Sequence, residues 1–348
     1  MKFRTWVNII TITLLAVVIY FSWGQITQAW SLLGKVNLWI FVLMIPVQFV
    51  SYYAVGQVMF SYLRSKGELH KMSRWGMTRV ALELNFVNHV IPVSGIAGFS
   101  YLGVVMKEHG VSVGRATVAQ LIRYATMFVV FVMMILASVI ILAFDQKVSR
   151  ATLIICGAFI LATIVSAVVV IYSVSNRKRL VKFSSWLTRT VNKIVAKISF
   201  GKKKHLLKLN KVEDFFTDIH QDYIEILSDK RILIRPFLWS LLANICDVGL
   251  VFVAFLALGS YVNPATLVVA CGISSFTAIF AATPGGSGVY EAIMIAFLAS
   301  AGVSPDVAIA GTLLARATVL AGTIIFGFIF YQLTIHKYGK IDKPTATI

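Results

Sequence analysis

The sequence has 348 residues, of which 58% are hydrophobic and only 13% are charged. This composition excludes an ordinary soluble domain and indicates a multi-pass membrane protein. The formal net charge of +18 does not indicate a nucleic-acid-binding protein, because the Lys and Arg residues cluster in short segments between long apolar stretches, as they do in the cytoplasmic loops of membrane proteins.

Six apolar stretches are long enough to cross the bilayer as helices. They are Trp6–Trp23, Asn37–Phe60, Ala116–Phe144, Ala151–Tyr172, Phe237–Leu258 and Val307–Leu333. Of the 32 Lys and Arg residues, three lie in predicted outer segments and two lie within spans (Lys35, Lys147 and Arg150; Arg123 and Arg316). All others lie on the opposite side, which the positive-inside rule assigns to the cytoplasm. We therefore expect both termini, including the tail 336–348, to be cytoplasmic.

The segment Val80–Met106 follows a predicted basic loop that extends to Arg79, and it is interrupted by polar and helix-breaking residues (Glu83, Asn85, Asn88, His89, Pro92, Gly95 and Gly98). Its halves have roughly 12 and 10 residues, and each is too short to cross a core about 30 Å thick at 1.5 Å per residue. Basic residues on both sides indicate that the segment enters from the cytoplasm and returns to it. We predict a re-entrant broken-helix hairpin here, within a first membrane half formed by residues 1–172.

Residues 173–235 form the only substantial segment predicted to lie outside the membrane. Apolar residues recur at three- and four-residue steps in both parts of it, and the first part is strongly basic. We therefore predict a basic cytoplasmic hairpin of two amphipathic helices. Its clustered Lys and Arg residues are suited to attract anionic lipid headgroups; the alternative is a solvated charged face that only determines topology.

A second interrupted segment, 265–301, lies in the second membrane half, 236–335. The stretch Thr283–Glu291 contains one proline and three glycines, which disfavour a continuous helix. Hydrocarbon offers no water to the freed backbone groups, so such a break must be buried in protein or line a polar cavity. We predict two half-helices that meet within the membrane, with the ionisable Glu291 beside the break, as in many transporter sites. A tight loop between two ordinary spans is the alternative.

The two interrupted segments resemble each other. Each has a proline with glycines near it, then a Gly-Val-Ser turn, then a span that carries one arginine. The corresponding residues are Pro92 and Pro284, Gly110-Val111-Ser112 and Gly302-Val303-Ser304 and, with a one-residue slip, Arg123 and Arg316. Because the first hairpin is predicted to enter from the cytoplasm and the second from outside, the copies are predicted to be inverted, a plan common among carriers that alternate access. Chance similarity between Gly-rich apolar segments is the alternative. The predicted fold is an all-α polytopic membrane protein with about six full transmembrane helices and two re-entrant broken-helix hairpins.

The motif Pro284-Gly285-Gly286-Ser287-Gly288-Val289-Tyr290-Glu291, together with the segment 85–92, resembles the transmembrane flippase region of lysylphosphatidylglycerol synthases and their stand-alone relatives. The resemblance covers essentially the whole chain and implies a lipid-handling protein of the prokaryotic cytoplasmic membrane. Family members fused to an aminoacyltransferase domain make and translocate aminoacylated phospholipids. The chain ends at Ile348, shortly after the last predicted span, so we expect no such domain and no enzyme activity. The first hairpin lacks a Gly-Gly pair, and the resemblance does not determine the lipid.

The arginines within spans are the costliest residues in the predicted membrane region, at roughly 2.5–3.5 kcal/mol each on insertion scales. A lipid phosphate would offset this cost, because the planar guanidinium binds phosphate through two parallel hydrogen bonds. The half-helix that begins near Ser287 also directs N–H groups at the break. We predict a lipid-binding site that comprises Arg316, Arg123, Glu291, Pro284, Gly285, Gly286, Ser287, Gly288, Asn85, Asn88, Pro92 and Glu83. The alternative is internal pairing, of Glu291 with Arg316 and of Glu83 with Arg123.

No cofactor, metal site or catalytic residue is predicted, because the sequence contains no zinc-type spacing, P-loop or catalytic triad. His89 is predicted to be a packed polar residue, and Asp247 and Asn244 are predicted to pair within the bundle. Two functions remain. The first is a lipid flippase or carrier that binds or translocates an anionic phospholipid or a polyprenyl-phosphate lipid. The second is a non-transporting membrane subunit that scaffolds or regulates a partner enzyme, an envelope lipid synthase or glycosyltransferase. Arginines that line one common cavity favour the first function, and arginines at separate interfaces favour the second.

Overall fold

The computed structural model describes residues 36–90, 96–144, 175–198, 209–279 and 286–338, together with scattered single positions in the other segments. These residues are helical and contain no strand, so the predicted all-α class is confirmed. The helices are α1 (Leu38–Val42), α2 (Met44–Ser65), α3 (Arg74–Val90), α4 (Ile96–Lys107), α5 (Val113–Phe144), α6 (Arg177–Ile198), α7 (Leu209–Ser228), α8 (Ile234–Ala257), α9 (Pro264–Ile279), α10 (Val289–Ser300) and α11 (Pro305–Tyr338).

Four helical stretches within the described residues are long and apolar enough to cross a membrane. They are Leu38–Ser65, Val113–Phe144, Lys230–Ala257 and Pro305–Thr334. They correspond to four of the six predicted spans, and the chain is therefore a multi-pass membrane protein. The predicted spans Trp6–Trp23 and Ala151–Tyr172 lie almost entirely outside the described residues, as does most of the tail 336–348.

The first interrupted segment forms α3 and α4, but α3 begins earlier than predicted. It begins at Arg74 instead of Val80, so part of the predicted basic loop is helical. The reason is a row of buried apolar side chains at the spacing of one helical face, namely Met77, Val80, Ala81 and Leu84. Arg74 and Arg79, two of the charged residues that suggested a loop, lie on other faces of this helix.

The helices on either side of the two breaks are short. Helices α3 and α4 have 17 and 12 residues, and α9 and α10 have 16 and 12. Each is shorter than the roughly 20 residues that a helix needs to cross the hydrocarbon core. Pro92, Gly95, Pro284 and Gly285, which suggested the breaks, lie outside the described residues.

The turn after each hairpin has the same backbone structure in both halves. Gly110 and Gly302 have φ angles of +81° and +90°, in the left-handed region that glycine adopts at little cost. The N–H of Val111 donates to the carbonyl of Met106 at 3.1 Å, and that of Val303 donates to Leu298 at 3.0 Å. These bonds cap the C-termini of α4 and α10 in the same way, so the Gly-Val-Ser match marks equivalent structure.

The two halves pack against each other in opposite directions. The N–H of Asn37, just before α1, donates to the carbonyl of Ala257 at the end of α8 at 2.8 Å. Arg64 near the end of α2 and Arg235 near the start of α8 line one cavity at the opposite end of the bundle. Helices α2 and α8 are therefore antiparallel. The hairpins also exchange neighbours, since α3 packs along α11 and α9 packs along α5. This is the arrangement expected of an inverted repeat.

Helices α6 and α7 form the predicted amphipathic pair and contact each other. Helix α7 also packs on the membrane part, where Ile219 and Ile226 contact the buried cluster formed by α2 to α5. Lys66 at the C-terminus of α2 forms ion pairs with Asp222 and Glu225 of α7. Apolar contacts and ion pairs thus both attach the pair to the end of the bundle where Arg64 and Arg235 lie.

Candidate functional site

A cavity of about 260 Å³ lies between the two halves, at the level of the two arginines. Seven helices contribute side chains to it. The polar and charged lining residues are Gln48, Ser51 and Tyr52 of α2, Asn85 and His89 of α3, Arg123 of α5, Asp247 of α8, Ser275 of α9, Tyr290 of α10, and Thr312 and Arg316 of α11. The two arginines that sequence analysis singled out therefore lie in one cavity.

Arg316 is held by a carboxylate from the second hairpin. Its Nε donates to Oε1 of Glu291 at 2.7 Å, and the side chains are 19% and 6% exposed. The other carboxylate oxygen of Glu291 accepts from the N–H of Gly288 at 2.6 Å, at the N-terminus of α10. The predicted internal pairing of Glu291 with Arg316 is thus present. The carboxylate also occupies an N–H group that was predicted to be available to an external anion.

Arg123 lies in the same cavity without a comparable partner. The residue is 7% exposed, and its Nε has no hydrogen-bond partner among the described residues. Its guanidinium lies over the ring of Tyr124, with the Cζ atom 4.5 Å from the ring centroid. A cation–π contact of this kind offsets part of the cost of burying the charge, but it provides no acceptor for the Nε–H.

The predicted pairing of Glu83 with Arg123 is wrong. Oε1 of Glu83 accepts from Nε of Arg79 at 2.9 Å and from the hydroxyl of Thr334 at 2.5 Å, while Oε2 accepts from the hydroxyl of Tyr101 at 2.7 Å. Arg79 is one turn before Glu83 on α3, a spacing at which side chains meet. Glu83 is therefore satisfied away from the arginine cavity, at a junction of α3, α4 and α11.

The other predicted site residues have different positions. Asn85 lines the cavity and donates to the hydroxyl of Thr323 at 3.3 Å. Asn88 points away from the lining, since its amide lies against Gly98 and its Oδ1 atom is buried without a partner among the described residues. Gly286 is buried against α9, where an added Cβ would lie 2.5 Å from that of Ala278. Ser287 and Gly288 form the turn before α10, and Pro92, Pro284 and Gly285 lie outside the described residues.

A sequence profile of the family described as "Lysylphosphatidylglycerol synthase TM region" matches residues 8–327. The chain belongs to this family. The match includes both hairpins, both arginines and the Gly-Val-Ser turns.

Two relatives from Methanothermobacter thermautotrophicus, each named "UPF0104 membrane protein", are also similar to the chain. One is 24% identical over 192 residues, which cover 55% of this chain and 54% of the relative. The other is 25% identical over 166 residues, which cover 45% and 47%. The alignments thus span about half the length of these relatives, and their names assign no substrate.

In this family member, the polar groups that sequence analysis missed come largely from α2. The amide of Gln48 donates to the hydroxyl of Tyr52 at 2.7 Å and to the carbonyl of Val319 at 3.0 Å. The Ser51 hydroxyl donates to Asp247 at 2.6 Å, so Asp247 pairs with α2. Asn244 donates to the carbonyl of Met127 at 2.8 Å, so both residues bond to other helices within the bundle and not to each other. The sequence did contain a signal for Gln48, because a polar residue within an apolar span is costly and is often functional.

No group of three or more His, Cys, Asp or Glu side chains suited to a metal ion occurs in the part of the chain that the structure describes. His89 donates its Nδ1–H to the carbonyl of Asn85 at 2.9 Å, one turn earlier on α3. The cavity lining thus combines neutral hydrogen-bonding side chains, two guanidinium groups and the carboxylate of Asp247. The two guanidinium groups suit binding of an anion.

Proposed function

We propose that the protein binds the phosphate group of an anionic lipid between Arg123 and Arg316 and carries that lipid across the cytoplasmic membrane. The observation that supports this proposal is the buried Arg123, whose Nε has no partner in the described residues and which lines the same cavity as Arg316. Membership of the family provides the second support.

The two arginines of the cavity differ in how their charges are offset. A guanidinium in the bilayer costs roughly 2.5–3.5 kcal/mol on insertion scales. Glu291 offsets that cost for Arg316 through a direct ion pair, but the described residues provide no such carboxylate for Arg123. Asp247 also lines the cavity, but its carboxylate accepts from Ser51 and forms no ion pair with Arg123. It would compete with a bound phosphate for the charge of Arg123. A phosphate would satisfy the guanidinium N–H groups bidentately.

The volume of this cavity suits the headgroup of a lipid and not the whole lipid. A volume of about 260 Å³ is below the range of roughly 300–1,000 Å³ that holds a whole drug-sized ligand. A second, apolar groove of about 520 Å³ runs between α2 and α11, and Gln48 and Tyr52 line both spaces. In the proposal, a hydrocarbon chain lies in this groove while the phosphate lies between the arginines. Both a phospholipid and a polyprenyl phosphate fit that description.

The inverted arrangement of the two halves supports movement of the lipid in addition to binding. In carriers built from inverted repeats, the site lies at the interface of the repeats and opens alternately to either side. Here the proposed site lies between α2–α5 and α8–α11, which run in opposite directions. In this proposal both termini and the α6–α7 pair are cytoplasmic, and the breaks between α3 and α4 and between α9 and α10 are re-entrant.

The test is a reconstitution of the purified chain in vesicles of neutral lipid with a fluorescent anionic lipid in one leaflet. We expect the wild-type chain to bind and translocate the anionic lipid, with an ion gradient applied or omitted. Arg123→Gln and Arg316→Lys should reduce both, because the first removes a charge and the second removes the planar fork. Arg189→Gln, which removes an exposed charge from α6, is the matched control and should have no effect.

The same experiment distinguishes a lipid carrier from a non-transporting membrane subunit. Specific binding that depends on Arg123, without translocation in any gradient, would assign the chain to the class of non-transporting subunits of an envelope lipid synthase or glycosyltransferase. Equal lipid binding by the wild type and Arg123→Gln would remove the arginine cavity as the site.

A further inference from the structure

A second basic pocket lies at the end of the bundle, where α2 ends and α3 and α8 begin. It has a volume of about 540 Å³ and is separate from the arginine cavity. We propose that this pocket binds the phosphate of an anionic lipid in the leaflet on that side of the membrane. The proposal does not depend on transport through the arginine cavity.

Three arginines from three helices surround the pocket. Arg64 lies in the last turn of α2, Arg74 is the first residue of α3, and Arg235 is the second residue of α8. All three side chains are exposed. Within the described residues, none of them forms an ion pair. Arg64 makes only long bonds of 3.5 and 3.4 Å, to the carbonyls of His70 and Met72, and lies over the ring of Phe60.

Other basic residues at the same end of the bundle behave differently. Lys66 pairs with two carboxylates of α7, Arg79 pairs with Glu83, and Arg115 pairs with Glu68 at 2.8 Å. The chain thus provides carboxylates to basic residues a short distance away, while the three pocket arginines have none. If the three charges only determined topology, they would not need to lie around a common cavity without carboxylate partners. The contrast therefore argues against a purely topological role.

The opposite end of the bundle shows that the fold itself does not require this charge. By the inverted repeat, the equivalent corner is formed by the end of α8 and the starts of α9 and α2. The sequence contains no Lys or Arg between Asn37 and Leu63 or between Pro236 and Ala315. Among the described residues, the helices at the two ends correspond, and a pocket lined by three arginines is found at the end formed by α2, α3 and α8.

The remaining lining indicates an amphiphilic ligand. Leu238, Trp239 and Leu242 form the apolar part of the pocket, and Leu238 is 57% exposed. Tyr53 contacts the rings of Trp75 and Trp239, at centroid distances of 5.4 and 5.7 Å. Tryptophan and tyrosine rings of this kind lie at the level of lipid headgroups, and basic pockets between helices at that level bind phosphate-containing headgroups. A phosphate on the arginines would place the glycerol and acyl chains against the tryptophans and leucines.

The experiment titrates short-chain phosphatidylglycerol onto the full chain in neutral detergent and counts bound lipids by native mass spectrometry. The background is Arg123→Gln, so that binding in the arginine cavity does not contribute. In that background, the further change of Arg64, Arg74 and Arg235 to Gln should weaken binding about tenfold or more, because charge-assisted bonds to phosphate are among the stronger hydrogen bonds. Changing the three to Lys should weaken it less, since charge is kept and the fork is lost.

The matched control removes three exposed charges from α6 by changing Lys182, Arg189 and Lys193 to Gln. Phosphatidylglycerol affinity should be unchanged in this control, and an equal loss would overturn the proposal in favour of a general field effect. Thermal unfolding in neutral detergent checks that the pocket variant is folded; if it is not, the single change Arg235→Gln is titrated instead and should still lower the affinity severalfold.

A competition arm identifies the source of the phosphate. Millimolar inorganic phosphate and glycerol phosphate should fail to displace the lipid, because the apolar lining contributes nothing to their binding. Displacement at those concentrations would show a site for soluble phosphate compounds and would overturn the lipid assignment. If Arg123→Gln alone abolished all phosphatidylglycerol binding, the pocket proposal would fail while the arginine cavity was supported.

Discussion

The two halves of the molecule present the same arginine to the same cavity but compensate its charge differently. Arg123 and Arg316 each lie over a tyrosine ring with the Cζ atom 4.5 Å from the centroid, and each follows the same Gly-Val-Ser turn. When the turns are aligned on Gly110 and Gly302, Glu291 corresponds to Phe99, and Arg316 corresponds to Tyr124, one residue after Arg123. The second half thus contains a carboxylate for its arginine, while the first half has an apolar ring in that place.

This difference indicates different roles for Arg316 and Arg123. A buried ion pair whose atoms are bonded to each other and to a helix N-terminus holds its helices together, as Glu291 does for α10 and α11. An ionisable residue without a counter-ion inside the membrane is costly and often marks a functional site. The comparison therefore supports the proposal that Arg123 binds the ligand, while the ion pair of Arg316 with Glu291 joins α10 and α11.

The largest expected effect comes from breaking the pair of the second half. Glu291→Gln leaves Arg316 without its carboxylate and should destabilise the protein by about 3–5 kcal/mol, the usual cost of removing one partner of a buried pair. Arg123→Gln should leave stability unchanged or raise it, since it removes an uncompensated charge. Thermal or denaturant unfolding of the purified variants in one detergent gives the comparison.

The double variant Glu291→Gln with Arg316→Gln is the control for this prediction. It should recover most of the lost stability, because neither member of the pair is left as a charge without its partner. Equal destabilisation by Arg123→Gln and Arg316→Gln would contradict the distinction between the two halves.

The difference between the two halves should disappear when the first half is given the carboxylate that it lacks. Phe99 contacts Tyr124, the ring on which Arg123 lies, with a centroid distance of 5.9 Å. Phe99→Glu should therefore neutralise Arg123 and weaken binding of an anionic lipid about tenfold, which equals about 1.4 kcal/mol. Phe99→Gln has the same size without the charge and should bind more tightly than Phe99→Glu. Equal affinities of the two variants would show that Arg123 does not contact the ligand.

A smaller effect should come from Asp247, at the crossing of α2 and α8. Its carboxylate lines the cavity and accepts from Ser51 at 2.6 Å, and its negative charge opposes a bound phosphate. Asp247→Asn should strengthen binding of the anionic lipid about threefold, because a like charge is removed while an acceptor for Ser51 remains. Ser51→Ala, which removes the hydrogen bond and keeps the charge, should not strengthen it. Weaker binding by Asp247→Asn would indicate that this carboxylate contacts the ligand or a coupled cation.

The sequence predicted the helices well where periodicity and hydropathy determine them. Four spans, the short helices on either side of both breaks and the amphipathic pair α6–α7 follow from apolar runs and spacing. The start of α3 was missed because charge density around Arg74 and Arg79 suggested a loop, while the buried row from Met77 to Leu84 decided the structure. Charge on one face does not prevent a helix whose other face is buried.

The site was predicted in part, and the reason for the misses is contact between distant segments. Arg123, Arg316, Asn85 and Glu291 could be identified because ionisable or amide groups in apolar segments are costly. The partner of Glu83 could not, because the choice between Arg79 and Arg123 depends on how α3 packs on α11. The role of Gln48 was missed for the same reason, since its amide donates to Val319, far along the chain.

The smallest effects should come from the two turn glycines, where the halves are alike. Neither Gly110 nor Gly302 has an atom within 4 Å of the position that a Cβ would take, so the cost of Gly→Ala there comes from the backbone alone. With φ angles of +81° and +90°, each substitution should destabilise the protein by about 1 kcal/mol, and the two costs should be equal. The control is Gly249→Ala within α8, where the nearest atom is 3.9 Å away and no positive φ is required; it should be neutral or stabilising. Unequal costs at the two turns, measured by unfolding in the same detergent, would show that the turns of the two halves are not equivalent. The alignment on Gly110 and Gly302, which pairs Phe99 with Glu291, would then no longer support the comparison of Arg123 with Arg316.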